Sequence, residues 1–91
     1  MTGMDALTVG DRVLEILREV TGDGAVLTDL DVPLYVSGLV DSLGTVTLMA
    51  AFEDAFGLTI SPAEFDRAAW STPRALVADI ERRVADARRL R

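Results

Sequence analysis

Apolar residues in this chain recur at steps of three and four, the period of a helix with one buried face, and no convincing strand remains anywhere. That pattern confines the fold to helices packed on helices. Val13, Ile16, Leu17 and Val20 mark a first helix over about 9–21. Thr8 with Asp11 resembles a capping box at its start, and Gly22 suits its stop. A second helix runs from about Ser42 to Ala55 and stops at Gly57. Ser61, Pro62 and Glu64 read as N-cap, N1 proline and N3 glutamate of a short third helix, about 62–68, with Phe65 and Trp70 turned inward. Thr72 and Pro73 repeat the device for a fourth helix, about 73–88, whose stripe is Leu76, Val77, Ile80, Val84 and Leu90. Arg82, Arg83, Arg88, Arg89 and Arg91 lie toward its C-terminal end, where cations complement the helix dipole.

Between the first two helices lies a long stretch, 23–41, that Pro33 prevents from being helical throughout. Leu27, Leu30, Val32, Leu34, Tyr35 and Leu39 are too apolar for a free linker. An ordered loop pinned to the core is expected, with one short turn. Long loops inside small domains are commonly functional. The expected architecture is all-α: an antiparallel four-helix bundle with a long first connection and a short third helix, one domain over 1–91 with its core at about 8–88.

The second helix has two unlike apolar faces. Thr45, Leu48, Met49, Phe52 and Phe56 share one and are assigned to the core. Leu43, Val46, Thr47, Ala50 and Asp54 share the other, with Glu53 at its edge. That second face is too apolar for an ordinary solvated surface and is the candidate partner-binding patch.

Ser42 opens this helix within the stretch VDSLG, Val40 to Gly44. Three uses of its hydroxyl are open. It could cap the helix. It could be a nucleophile, but the chain has no His, Cys or Lys to activate it. It could anchor a prosthetic arm through a phosphodiester. The helix N-terminus favours an anion there, and Asp41 would then cap the helix. Gly44 would clear space beside Ser42.

Composition narrows the function classes. A formal net charge of −6 argues against binding a nucleic-acid backbone and favours partners with basic surfaces. The chain offers no thiolate or imidazole for a metal site, and none is expected. No apolar run reaches the roughly 18 residues of a membrane span, and the first ten residues do not read as a secretory signal. A cytoplasmic monomer is the expectation. All nine cations are Arg, which suggests a GC-rich genome.

The stretch GLVDSLGTVTLMAAFEDAFGLTISPAEF, Gly38 to Phe65, resembles the core of acyl and peptidyl carrier proteins. With the first and fourth helices, the resemblance covers nearly the whole chain. It implies a carrier, not an enzyme, with 4′-phosphopantetheine attached to Ser42 by a phosphopantetheinyl transferase. The arm's thiol would then hold an acyl group, which accounts for the missing cysteine. A narrower resemblance lies in SLGTV and in EFDRAAWSTPRAL, Glu64 to Leu76, which are similar to D-alanyl carrier proteins. Asp66, Arg67 and Trp70 mark that group, with Trp70 expected as a core plug and the other two at the surface.

Gly44 and Thr47 occupy positions that are often acidic in fatty-acid carriers, which weakens a fatty-acyl role. The resemblance implies an aminoacyl cargo loaded by a stand-alone adenylating enzyme and passed to an acyltransferase or other acceptor. Glu53 and Asp54 would meet basic groups on these partners. The arginine-only composition favours a natural-product setting, such as antibiotic biosynthesis with an amino-acid starter unit for a polyketide. The alternative is D-alanylation of teichoic acid. An unmodified acidic interaction domain is the rival reading from another class.

Overall fold

In the computed structural model, residues 8–89 are described, apart from the side chain of Glu64. The order is α1 (Val9–Thr21), a one-turn α2 (Ala25–Thr28), α3 (Ser42–Phe56), two 3₁₀ turns (Pro62–Glu64 and Arg67–Trp70) and α4 (Pro73–Arg89). This is the expected all-α, carrier-like bundle. Leu90 and Arg91, assigned above to the end of the last helix, lie outside the described residues.

The capping expected for α1 is present in full. Asp11 N–H donates to Thr8 Oγ1 at 3.0 Å, and Thr8 N–H donates to Asp11 Oδ2 at 3.2 Å. Such a box satisfies two backbone donors that the first turn leaves open. Gly22 and Gly57 end α1 and α3 in the left-handed conformation, φ 68° and 67°, which glycine adopts without strain. Thr72 caps α4, accepting from Ala75 N–H at 3.1 Å.

The core is the apolar stripe of each helix turned to a common centre. Val13 and Leu17 of α1, Leu48, Met49 and Phe52 of α3, and Leu76, Ile80 and Val84 of α4 are all buried. α1 packs on both α4 and α3. Thr45, Leu48, Met49 and Phe52 are buried as their spacing predicts, and Phe56 packs half-buried against them.

The stretch 23–41 is ordered and pinned, with α2 as its turn. Val26, Leu34 and Val40 are buried. Its backbone bonds directly to the start of α4: Arg74 N–H donates to the Leu30 carbonyl at 2.9 Å, and Leu34 N–H to the Ser71 carbonyl at 2.9 Å. The first bond satisfies a donor in the first turn of α4. Arg74 also reaches back to the exposed Asp31 carboxylate, at 2.9 and 3.2 Å.

The third helix is the main departure from the sequence reading. In place of one helix over 62–68 there are two 3₁₀ turns separated by extended residues Phe65 and Asp66. Ser61 makes no side-chain capping bond. The physical reason lies at Asp66, whose Oδ1 accepts from Ala68 N–H at 3.0 Å. A short acidic side chain that bonds the backbone two residues on competes with continuing the helix. The break lets Phe65 and Trp70 both turn inward, with ring centroids 4.8 Å apart in an edge-to-face contact.

Candidate functional site

The start of α3 sets the geometry. Asp41 is extended, φ −117° and ψ −170°, and its Oδ1 accepts from Gly44 N–H at 2.7 Å. Asp41 is therefore the N-cap. Ser42, the next residue, is exposed, and its hydroxyl takes part in no hydrogen bond among the described residues. A Cβ at position 44 would lie 3.3 Å from Asp41 Oδ1 and 3.5 Å from Val40 Cγ1. Gly44 thus makes room for the capping carboxylate, and not for Ser42 as its spacing suggested.

Behind Ser42 the helix is fastened to the long loop. Thr45 Oγ1 donates to the Asp41 carbonyl at 2.9 Å and meets the Tyr35 hydroxyl at 2.8 Å. Thr45 is buried, so these partners remove the cost of an unsatisfied hydroxyl. A groove of about 340 Å³ opens at Ser42 and is lined by Thr45, Val46, Met49, Pro62, Phe65 and Arg67.

The candidate partner residues lie together on the outer side of α3. Leu43 is 74% exposed and Val46 60%, and Thr47, Ala50 and Asp54 are exposed beside them. Glu53 is different. It is half-buried, and its Oε2 accepts from Ile60 N–H at 2.8 Å, closing the chain over the end of α3. Thr47 Oγ1 donates to the Leu43 carbonyl at 3.0 Å, so what this side offers a partner is chiefly apolar.

Three features escaped the sequence reading. Val36, 90% exposed, stands on a turn closed by Ser37 N–H to the Pro33 carbonyl at 3.0 Å. The guanidinium of Arg67 stacks over the Tyr35 ring, 4.4 Å from its centroid. Asp79 is buried on α4 and accepts from Trp70 Nε1–H at 2.8 Å, from Arg83 Nε–H at 2.7 Å and from Arg82. Burial alone would push the Asp79 carboxyl up. The hydrogen bonds from Arg83 and Trp70 and the nearby arginine charges outweigh it and hold the carboxyl below its ordinary value. Trp70 is the core plug expected of it, at 1% exposure.

Asp41 as the N-cap, an exposed Ser42 whose hydroxyl bonds nothing among the described residues, an apolar groove beside it and an apolar outer helix face are the features expected of a prosthetic-group carrier. The residues fit a phosphopantetheine arm: Asp41 provides the cap, which would leave the Ser42 oxygen available, and an apolar groove opens beside it. The family described as phosphopantetheine attachment site matches residues 11–80. The D-alanyl carrier protein of Lacticaseibacillus casei is 43% identical over 73 residues, covering 80% of this chain and 90% of its own. That of Bacillus velezensis is 45% identical over 66 residues, covering 72% and 85%. That of Enterococcus faecalis is 35% identical over 75 residues, covering 82% and 96%. The chain belongs to the phosphopantetheine carrier proteins and, within them, to the D-alanyl carrier-like group, and 4′-phosphopantetheine is the family's prosthetic group.

These relatives overturn the polyketide starter-unit setting expected from the arginine-only cations. Choice of Arg over Lys reports on genome composition across the whole chain, and it carries no information about which partner docks. Among the described residues, no helix is long and apolar enough to cross a membrane.

Proposed function

We propose that Ser42 carries the phosphopantetheine arm and that the arm carries a D-alanyl group from an adenylating enzyme to an acyltransferase, with teichoic acid the final acceptor. The observation that carries this reading is the division of labour at the start of α3: Asp41 holds the cap, and the neighbouring Ser42 hydroxyl is exposed and bonds nothing among the described residues. When bound, the arm supplies the thiol that accepts the acyl group. The chain's own residues bind, present and protect. Tyr35 and Thr45 fix the first turn of α3, so the attachment point is held in one orientation. Leu43, Val46 and Ala50 offer an apolar docking face, with Asp54 and the remaining oxygen of Glu53 at its flank.

The D-alanyl cargo is supported by the names of relatives that match most of the chain. Tethering raises the effective concentration of the cargo at each docked partner, and it lowers no chemical barrier. The chain is read as a non-catalytic monomer of the cytoplasm, where coenzyme A and the transferase meet it.

The test begins with intact mass after incubation with coenzyme A and a promiscuous phosphopantetheinyl transferase. A gain of one phosphopantetheine that disappears in Ser42→Ala is expected; no gain in the wild-type protein overturns the reading. Loading with D-alanine in preference to L-alanine, by a D-alanine-activating enzyme and ATP, then tests the cargo.

A further inference from the structure

Attachment at Ser42 would create an electrostatic difficulty that the apo chain does not have. Asp41 sits beside Ser42, and its carboxylate forms no ion pair among the described residues. A phosphodiester on Ser42 would place a second anion next to it, in a chain whose formal charge is already −6. Like charges this close repel; the N-terminus of α3 favours each anion, and a nearby cation would reduce their mutual repulsion further.

Among the described residues lining the groove that opens at Ser42, Arg67 is the one cation. Its guanidinium forms no ion pair among the described residues. Asp66, its neighbour in sequence, spends Oδ1 on the Ala68 N–H. Arg67 is nonetheless held in place, because its guanidinium lies over the Tyr35 ring at 4.4 Å. That ring is fastened through its hydroxyl to Thr45 at 2.8 Å, and Thr45 to the Asp41 carbonyl at 2.9 Å. Stacking on an aromatic face uses the flat side of a guanidinium and leaves its N–H edge available. That planar edge matches a phosphate in geometry and charge.

We infer that Arg67 is a positioning residue that holds the phosphate of the arm on Ser42. The Arg67 guanidinium offsets the repulsion between this phosphate and Asp41 and directs the first part of the arm along the groove toward Phe65. The inference rests on the proposed attachment at Ser42. Among the described residues of the apo chain, the Arg67 guanidinium covers Tyr35 and meets no anion, so the effect belongs to the modified protein. Because Arg67 is exposed, the contact weakens as salt screens it.

The experiment compares apo and modified protein labelled with ¹⁵N-arginine, with attachment verified by intact mass. The Arg67 Nε–Hε resonance should shift on modification while those of Arg12 and Arg18 stay in place. The ³¹P resonance of the modified wild-type protein should move as salt is raised from about 50 mM to about 500 mM. Arg67→Gln should lose that salt-dependent movement, and Arg67→Lys should recover part of it. If the mass gain is present but the Arg67 resonance does not shift, or Arg67→Gln leaves the ³¹P behaviour unchanged, the role of Arg67 is overturned and attachment stands. If wild-type protein gains no mass, attachment fails and takes this inference with it.

Discussion

Asp79 and Asp41 stand at opposite extremes of one helical frame. Asp79 is buried on α4 and takes donors from Trp70, Arg82 and Arg83. Asp41 is exposed, takes one backbone donor, and stands beside a serine whose hydroxyl bonds nothing among the described residues. The first carboxylate is buried and has a donor on each oxygen, as polar groups that help hold a fold together do. The second is arranged so that one oxygen stays uncommitted and accessible, as an attachment point must be. The difference separates what stabilises this chain from what it offers to other enzymes.

The comparison is broken most forcefully at Trp70. Its ring meets Phe52 at 5.6 Å and Phe65 at 4.8 Å, both edge-to-face, while its Nε1–H satisfies Asp79. Trp70→Ala removes the packing and leaves a buried carboxylate short of a donor. A cost of about 3–5 kcal/mol is expected for such a truncation. Set against total stabilities of roughly 5–15 kcal/mol for small domains, that brings the chain close to unfolding. Urea unfolding followed by far-ultraviolet circular dichroism measures it. A loss under about 1 kcal/mol would remove Trp70 and Asp79 from the structural side of the comparison.

Acid probes the same cluster with less force. The Asp79 carboxyl is held below its ordinary value in the fold, so the fold binds its proton less readily than the unfolded chain does. Its stabilising contribution is therefore complete above the ordinary carboxyl range, and it is lost as pH falls through the lowered folded value. The urea midpoint should fall below about pH 4, and Asp79→Asn should make that fall shallower while lowering stability at neutral pH by on the order of 1–3 kcal/mol. Asp31, held low chiefly by its hydrogen bonds from Arg74, keeps some acid dependence in the variant. An unchanged acid slope in Asp79→Asn would mean the cluster does not titrate with folding.

How legible each side was follows from the range of the interactions involved. The cap at the start of α3 was readable because capping is local: Asp41 and Ser42 are adjacent and their residue types carry the signal, whereas the contact that explains Gly44, with the Asp41 carboxylate, shows only in the structure. The two faces of α3 were readable for a similar reason, since a period of 3.6 residues sorts Leu48 and Phe52 from Leu43 and Val46. Asp79 was not. In sequence it resembles any helix-surface acid followed by arginines three and four residues on, and its burial and its bond to Trp70 are tertiary facts. The loop from Leu30 to Leu34 is fastened to α4 through backbone carbonyl and N–H groups, which have no sequence signature. The third helix failed because Ser61 and Pro62 signal a start correctly, while the interruption comes from Asp66 choosing a nearby N–H.

The smallest expected effect sharpens the comparison at the other end, between two adjacent residues. Asp41→Ala removes the N-cap and should cost about 1 kcal/mol in the apo protein, and less in the modified protein because it also removes the anion beside the phosphate. Asp41→Asn keeps a capping oxygen, so it should cost little in the apo protein. In the modified protein it should be neutral or slightly stabilising, because it removes the anion beside the phosphate. Ser42→Ala should change stability by no more than about 0.5 kcal/mol, since an exposed hydroxyl without a partner is being exchanged for a good helix former. Chemical denaturation of the two Asp41 variants, apo and modified, and of apo Ser42→Ala measures all three. Equal losses in Ser42→Ala and Asp41→Ala would make Ser42 part of the cap. The free hydroxyl that sets this end of the molecule apart from Asp79 would then be a structural group after all.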